Sequence, residues 1–464
     1  MVADPGPVLA QLQRDFEPAI ERLSALLSIP SIGTDPTFAP ETRRAAEWLA
    51  AELRSIGFEA SLRNSTGQPM VVAHHPGPGE GAPHVLYYGH YDVQPPEPLE
   101  LWQTPPFVPT IVEAERGRRI VARGAVDDKG QVMTWIEAMR AWHRVHGALP
   151  IRVSVFLEGE EESGSPSLET FLAANREELA ADLCVVSDTN MWDVDTPAIC
   201  TQLRGLLYVE LTLHGPGRDL HSGLYGGAVP NPLNILTRML GQLHDDQSRV
   251  RIPGFYRDVR ELAEGERAKL ASLGFDEAAF LGAIGLSRGV GEDGRSTLER
   301  IWARPTCDLN GIWGGYTGEG WKTVIPAQAS AKLSCRLVPE QDPDQILAGL
   351  SKFVADRTPP DCRFEIERLG AAPAMRIPAE SPYVRAGAAA LEQVFGRPPV
   401  RIAMGGSIPA VEAIKRLLGM DSLLIGFGLD DDRVHSPNEK FELVCFERGM
   451  RAHAALLAEL ANLA

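Results

Sequence analysis

Apolar residues recur along the chain with two periods, and these periods predict its secondary structure. Residues 8–28, 40–55 and 441–463 carry apolar side chains at helical spacing. Short runs rich in apolar and β-branched residues are typical of strands, and they occupy residues 84–93, 151–156 and 182–190. Strands that alternate with helices in this way predict an α/β fold, a layered domain built on a mixed sheet.

From residue 204 onward the pattern changes. Residues 206–214 alternate apolar and polar side chains, as in a half-exposed strand, and a helix and another strand are predicted further on. We therefore expect a first domain formed by residues 1–203 and 379–464, with an α+β domain of residues 204–378 inserted into it. Residues 250–305 have weak periodicity and indicate no function of their own.

Composition narrows the class of protein. The chain has 464 residues, of which 44% are hydrophobic and 23% charged, as in a globular protein long enough for two domains. A net charge of -17 argues against nucleic acid and anionic membrane as partners. No signal peptide or membrane-length apolar stretch is visible, so we expect a soluble cytoplasmic protein. The six cysteines form no CxxC pair, which favours buried free thiols.

Acidic residues follow several of the predicted strands. The run Glu160–Glu162 comes soon after the strand 151–156. Adjacent carboxylates repel one another and are costly to bury without a cation, so a run of this kind standing alone is better explained as a solvated loop. Other predicted strands also end on side chains that can bind a ligand, namely His90 with Asp92, Asp127 with Asp128, and Asp188. Several such strand ends together favour a ligand site over a solvated loop.

These strand ends, together with a C-terminal loop, supply the side chains for one metal site. Its candidate ligands are His90, Asp127, Glu162, Asp188 and His435. Imidazole and carboxylate ligands without sulfur suit zinc, manganese or cobalt better than calcium or copper(I). Five ligands exceed the need of one catalytic zinc, whereas a shared carboxylate would make two sites of three ligands each.

Two further acids have predicted roles beside these ligands. Two metals would clamp a hydroxide and polarise a carbonyl, and Glu161 is placed to take the proton from the water. Asp92 lies two residues after His90 on an extended chain, so its carboxylate can orient the ligating imidazole. The sequence therefore predicts a hydrolytic site.

Short motifs in a fixed order carry a specific resemblance. The matching stretches are 89–93, 123–130, 158–165, 187–188, 220–227, 322–326, 336–339, 405–409 and 435–439. They span nearly the whole chain, and in type and order they resemble the M20 metallopeptidase family, specifically its carnosinase-like dipeptidase branch.

The resemblance implies an enzyme that cleaves the peptide bond of dipeptides through a hydroxide bridging two divalent metals. The metals would be zinc or manganese, with cobalt as a further option. His90 and Asp188 would bind one metal and Glu162 and His435 the other, with Asp127 as the bridge. Glu161 would act as general base and then as general acid to the leaving amine. The peptide bond between Asp127 and Asp128 would be cis.

The resemblance also gives the inserted domain a function, as the lid and dimerisation domain of a homodimer whose first domain is catalytic. His221 would reach the partner subunit's active site and stabilise the oxyanion. Arg336, Thr323 and Ser407 would hold the substrate's C-terminal carboxylate and backbone, and an Arg fork can grip a carboxylate with two bonds. Without the resemblance, His221 would be interpreted as a surface residue, and Arg336 equally well as a structural ion-pair partner.

Two other functions remain open. An amidohydrolase acting on N-acyl or N-carbamoyl amino acids would need the same metals and base, although the lid motifs favour a dipeptide as the substrate. A metal-binding or peptide-binding protein that has lost catalysis should show a damaged base or ligand, yet Glu161 and every expected ligand are present.

Overall fold

The computed structural model describes residues 3–378, 380–406 and 408–463, and its elements are numbered in chain order. The strands are β1 (Glu59–Arg63), β2 (Met70–His75), β3 (His84–His90), β4 (Thr110–Ala114), β5 (Gly117–Val121), β6 (Arg152–Glu158), β7 (Leu183–Val186), β8 (Ala198–Leu203), β9 (Gly205–His214), β10 (Leu220–His221), β11 (Thr306–Gly314), β12 (Val324–Ile325), β13 (Gln328–Leu337), β14 (Arg363–Ala372), β15 (Met375–Arg376), β16 (Val400–Met404), β17 (Ser422–Leu424) and β18 (Lys440–Glu442). The helices are α1 (Gly6–Arg14), α2 (Phe16–Leu27), α3 (Ala39–Arg54), α4 (Lys129–His146), α5 (Leu168–Ala174), α6 (Arg176–Leu179), α7 (Ser222–Tyr225), α8 (Pro232–Leu240), α9 (Glu264–Ser272), α10 (Glu277–Gly282), α11 (Pro343–Ala355), α12 (Pro382–Phe395), α13 (Pro409–Leu418) and α14 (Leu443–Ala461).

The chain divides into two compact units. One contains Met1–Thr201, Ile377–Ile402 and Pro409–Ala464, and the other contains Gln202–Arg376 and Ala403–Ile408. The chain therefore leaves the first unit twice, first to build most of the second unit and later to add one short segment to it.

A mixed sheet forms the centre of the first unit, with strand order β1-β2-β6-β3-β7-β17-β8. The strands β6, β3, β7 and β17 are parallel, whereas β2 and β8 join this group in antiparallel pairing. The residues of β7 are all buried, as expected for a central parallel strand. This arrangement confirms the predicted layered α/β class, and it makes the segments that follow β3, β6 and β7 emerge at one edge of the sheet.

Two groups of helices pack within the first unit. One group contains α1, α4, α12 and α14, and the other contains α5, α6 and α13. The single helix predicted over residues 8–28 is wrong, because the chain forms α1 and α2 with a break at Asp15. Pro18 lacks the N–H that would bond to the carbonyl of Arg14, and its ring crowds that carbonyl, so one continuous helix is interrupted there.

A small antiparallel sheet, in the order β18-β5-β4, also belongs to the first unit. Lys440 at the start of β18 pairs with Val121 at the end of β5. The chain therefore leaves β5 and enters β18 at the same end of this sheet, which brings the loop 122–128 beside the loop 430–439.

The second unit contains an antiparallel sheet in the order β11-β13-β9-β14. The alternation predicted for residues 206–214 is confirmed, since every second residue of β9 is buried. These buried residues, which include Leu207 and Leu211, form a core with α8 and α11. In residues 250–305, the buried Arg304 bonds to Glu292 through two N–O contacts of 2.7 and 2.8 Å, which holds this polar stretch in place.

The two edge strands of this sheet, β14 and β11, carry different kinds of side chain. β14 carries Arg363, Glu365, Glu367 and Arg368, and charged residues of this kind prevent pairing with another strand. β11 instead exposes apolar side chains, with Leu309 50% exposed.

Two further observations concern the chain as a whole. Across the described residues, no helix combines the length and the apolarity that crossing a membrane requires. All six cysteines are free thiols, as predicted, and five of them are buried, with Cys362 partly exposed.

Gly426 provides a test of the packing at the ligand edge of the sheet. A Cβ atom at this position would lie 1.8 Å from the carbonyl oxygen of Thr189, which follows β7. We expect Gly426→Ala to destabilise the protein by about 1–3 kcal/mol, because the backbone must shift to relieve the overlap. Thermal unfolding should show a midpoint several degrees below that of the wild-type protein.

Gly265 in α9 is the control, because a Cβ atom there would meet nothing within 4 Å. We expect Gly265→Ala to leave the unfolding midpoint unchanged or to raise it slightly, since alanine favours helices by about 1 kcal/mol over glycine. An unchanged midpoint for Gly426→Ala would mean that the close approach of these two segments is not a constraint on the fold.

Candidate metal centre

The ends of β3 and β7 and the loop after β5 bring a first group of ligand atoms together. His90, Asp127 and Asp188 each offer one atom, and these atoms lie within 4.8 Å of one another. Nε2 of His90 is 3.2 Å from Oδ1 of Asp127, yet this buried nitrogen makes no hydrogen bond of good geometry. A buried imidazole nitrogen that faces carboxylate oxygens fits a bound divalent cation.

Asp127 belongs to a second group as well, with Glu162 and His435. Nε2 of His435 lies 2.9 Å from Oδ2 of Asp127 and 3.2 Å from Oε2 of Glu162. Oδ1 of Asp127 therefore faces His90, whereas Oδ2 faces His435. A carboxylate whose two oxygens face separate ligand groups fits a bridge between two cations.

Asp92 contacts residues of both ligand groups and helps to position them. Nδ1 of His90 lies 3.4 Å from Oδ1 of Asp92 and 3.1 Å from the Asp92 carbonyl oxygen. Because Nδ1 faces acceptors, Nε2 is the nitrogen left free to bind a cation. The Asp92 carboxylate also accepts hydrogen bonds from the backbone N–H groups of Glu161 at 3.2 Å and Glu162 at 3.0 Å.

Carboxyl groups are crowded at this site. Burial raises the pKa of Asp188 well above its usual value, and the neighbouring Asp128 and Asp127 raise it further. Burial likewise raises the pKa of Asp128 to about 8, with the charge of Asp127 acting in the same direction and nearby His90 opposing it. These carboxyl groups cannot all ionise without added positive charge, which divalent metals would supply.

The neighbouring carboxyl groups also shift the pKa values of the two imidazoles, His90 and His435. Hydrogen bonds to Asp127 and Glu162 raise the pKa of His435 to about 10. Burial disfavours a charged His90, but its contacts with Asp127 and Asp92 outweigh this effect and raise its pKa well above the usual value. For Asp127, the effect of burial is outweighed by the close contacts with His435 and His90, which lower its pKa. The negative electrostatic potential of the carboxyl groups therefore favours bound cations at the site.

Glu161 lies beside the ligand groups but belongs to neither. It begins a short turn after β6, Glu161–Ser163. Burial raises the pKa of Glu161 to about 8, assisted by the charge of Glu162 and opposed by His90. A carboxyl group with a pKa in this range can accept and return a proton near neutral pH.

The peptide bond between Asp127 and Asp128 is cis, which confirms the expectation drawn from the resemblance. Oδ2 of Asp128 accepts a hydrogen bond from the backbone N–H of His90 at 3.2 Å. The acid next to the bridging candidate therefore contacts the end of β3, which supplies the histidine of the first group.

In the second unit, the structure brings His221 and Thr323 together. β10 pairs with β12, and Oγ1 of Thr323 lies 3.5 Å from Nε2 of the exposed His221. Nδ1 of His221 accepts a hydrogen bond from the backbone N–H of Gly223 at 3.0 Å. The proton of a neutral imidazole then resides on Nε2, which makes this nitrogen a hydrogen-bond donor.

Arg336 lies on β13, half-buried, and burial lowers its pKa. Arg204, which the sequence did not single out, lies close to it: burial and the charge of Arg336 lower the pKa of Arg204 to about 10. Nε of Arg204 donates to the carbonyl oxygen of Gly405 at 3.0 Å. Ser407, the third predicted carboxylate-binding residue, lies outside the described residues.

Two other polar residues at the ligand edge were not predicted, the partly buried Gln94 and the buried His453. Gln94 donates from Nε2 to Oε2 of Glu162 at 2.9 Å. His453 is fully buried in α14, and its Nε2 lies 2.9 Å from Oγ of Ser187, the residue before Asp188. Neither has a local sequence signal, because only the packed fold brings it to the site.

Comparison with known proteins shows similarity along almost the entire chain. The model of the family described as Peptidase family M20/M25/M40 matches residues 86–459. The Cys-Gly metallodipeptidase dug1 of Schizosaccharomyces pombe is 31% identical over 457 residues, covering 96% of this chain and 95% of that protein.

Solved structures resemble the fold over the same extent. Human carnosine dipeptidase 1 superimposes with a TM-score of 0.84 at 26% identity, covering 100% of both chains. An M20 family metallo-carboxypeptidase from Sulfolobus solfataricus superimposes with a TM-score of 0.85 at 31% identity, covering 96% of this chain and 99% of that one. These matches, made by sequence and by structure over nearly the full length, show that the chain belongs to peptidase family M20/M25/M40.

Proposed function

We propose that the protein is a two-metal dipeptidase that hydrolyses the single peptide bond of a dipeptide. The observation that carries the proposal is Asp127, whose two oxygens face separate ligand groups. The names of the relatives support the substrate class, since one is a Cys-Gly metallodipeptidase and another is carnosine dipeptidase 1.

His90 and Asp188 would hold one metal, Glu162 and His435 the other, and Asp127 would bridge them. The unbonded Nε2 of the buried His90 and the absence of sulfur from both groups support zinc or manganese, with cobalt as a third option. Such metals, when bound, lower the pKa of water and polarise the scissile carbonyl.

Glu161 moves the proton in the proposed reaction. Its carboxylate accepts the proton of the attacking water and then donates it to the nitrogen of the leaving amine. Burial raises the pKa of Glu161, which makes its carboxylate a better proton acceptor than that of an exposed glutamate. Asp92 keeps His90 and the backbone of Glu161 in place through the hydrogen bonds described above.

The second unit would bind the substrate and form the dimer. Arg336, Thr323 and Ser407 would hold the C-terminal carboxylate, and His221 would donate from Nε2 to the oxyanion in the partner subunit's site. The donor geometry of His221 supports this role. The exposed apolar edge of β11 supports a homodimer, because such an edge is normally covered. In this proposal, residues 204–378 are the lid and dimerisation domain.

We also propose a cytoplasmic location. The free thiols support it, because oxidising compartments favour disulfides.

The substrate class and the metal are tested together by stripping the enzyme with a chelator and adding back zinc, manganese or cobalt. We expect hydrolysis of dipeptides, restored by one or more of these metals, and no cleavage of tripeptides or N-acyl amino acids, with amino-acid release measured by chromatography. The substrate panel should include Cys-Gly and β-alanyl-histidine, which the relatives' names suggest.

Each other outcome identifies a different function. Cleavage confined to N-acyl or N-carbamoyl amino acids would make the protein an amidohydrolase. Stepwise removal of C-terminal residues from longer peptides would match the carboxypeptidase relative. An absence of cleavage with every metal would indicate a binding protein.

Glu161→Gln tests the proton transfer. We expect kcat to fall by roughly 10²–10⁴, because an amide cannot accept the water's proton. Metal content measured by mass spectrometry should be unchanged, since neither ligand group includes Glu161. Glu160→Gln is the matched control, because Oε1 of Glu160 accepts from the backbone N–H of Gln68 and the amide retains that acceptor. Loss of metal in Glu161→Gln would show that this residue is a ligand instead of a base.

His221→Ala tests the oxyanion donor. We expect kcat to fall by roughly 10²–10³, as when one such donor is removed. The control is His244→Ala, because His244 is an exposed histidine of the same unit outside the motifs. If His221 acts across the dimer, mixed dimers of Glu161→Gln and His221→Ala subunits should recover part of the activity. Verified mixed dimers with no recovery would place the action of His221 within its own subunit.

A further inference from the structure

Glu439 is a fully buried carboxylate that accepts four hydrogen bonds from the loop bearing Asp127. Oε2 accepts from Nη1 of Arg123 at 2.8 Å and from the backbone N–H of Gly124 at 3.0 Å. Oε1 accepts from the backbone N–H groups of Val126 at 3.0 Å and Asp127 at 3.1 Å. One side chain therefore fixes the backbone of this loop up to the bridging candidate itself.

Arg123 extends the same contact network to two more loops. It is 1% exposed. Nη2 donates to the carbonyl oxygen of Pro95, three residues after Asp92, at 3.1 Å. Nη1 also lies 3.4 Å from the carbonyl oxygen of Ser436, the neighbour of His435.

The pair Arg123–Glu439 thus contacts the loops that carry or follow His90, Asp127 and His435. Burying two charges is costly, and apolar side chains of similar volume often replace a buried ion pair without loss of stability. A buried ion pair is therefore weak evidence for a purely structural role. Its bonds here are concentrated on backbone atoms close to candidate metal ligands, which points to control of the ligand geometry.

We propose that Arg123 and Glu439 are positioning residues that hold the loops of Asp127 and His435 in register, so that both ligand groups acquire metal-binding geometry together. The inference rests on the proposed metal centre. Neither side chain contacts a metal in this proposal, since both act through the backbone of the ligand loops. Residues that orient metal ligands in this way typically change metal affinity by 10–100-fold when they are mutated.

Glu439→Gln is the principal test. The amide keeps the side-chain volume, but its NH₂ group faces N–H donors on one side, so two of the four hydrogen bonds are lost. We expect zinc affinity, measured on the chelator-stripped protein against a fluorescent zinc chelator, to fall by about 10–100-fold. We also expect kcat to recover to near the wild-type value at saturating zinc, because the base and the ligands are intact.

Glu137→Gln is the matched control. Glu137 is a buried acid of α4 that Arg22 grips with two bonds, at 2.7 and 2.6 Å, and it belongs to neither ligand group. Zinc affinity of this variant should stay within about twofold of the wild-type value, even if its unfolding midpoint falls as far as that of Glu439→Gln. Wild-type zinc affinity in Glu439→Gln, or an equal loss in Glu137→Gln, would overturn the proposal.

Arg123→Lys gives an independent test of the pair. A single ammonium cannot reach Glu439 and the carbonyl groups of Pro95 and Ser436 at once, so zinc affinity should again fall by about 10–100-fold. If either variant is unfolded without metal, folding on addition of zinc supports the proposal, and failure to fold in saturating zinc overturns it in favour of a structural role. The measurements of zinc affinity and of folding need no substrate, so a wild-type protein that binds zinc without cleaving dipeptides would refute only the proposed function.

Discussion

Carboxylates crowded at one edge of the sheet impose the constraint on which the first unit depends. Burial raises the pKa values of Asp128 and Asp188, and the charge of Asp127 raises both of them further. Such an arrangement costs free energy unless cations and hydrogen-bond donors compensate for it. The parallel strands make the crowding unavoidable, because they deliver their carboxyl ends to one edge of the sheet. A pair of divalent metals would resolve this repulsion, and would at the same time create the chemistry proposed here.

Hydrogen bonds made by residues that are not themselves candidate ligands determine how the acidic side chains are arranged. Asp92 accepts bonds from the turn that carries Glu161 and Glu162, and it also contacts His90. Glu439 and Arg123 perform the corresponding task for the loops after β5 and before β18. The small sheet in which β5 pairs with β18 places these loops side by side, so this minor element connects the fold to the site.

Much of the fold followed from local patterns. The period-two alternation of residues 206–214 predicted β9, and the strand–helix alternation predicted the mixed α/β class. The break between α1 and α2 was missed, because apolar spacing continues through it and only the backbone chemistry of Pro18 interrupts the helix. Four of the candidate ligands came from strand ends and His435 came from a C-terminal loop, and the structure brings all five into two groups that share Asp127.

By itself, the sequence determined the types of element, the fold class and a set of acids and histidines suited to divalent metals, because periodicity and motif chemistry are properties of neighbouring residues. Tertiary structure alone decided that the two oxygens of Asp127 face different groups, that Glu439 binds the loop of Asp127, and that His453 approaches Ser187. These contacts join residues far apart in the chain. Their geometry depends on how sheets and helices pack, and no local pattern carries that information.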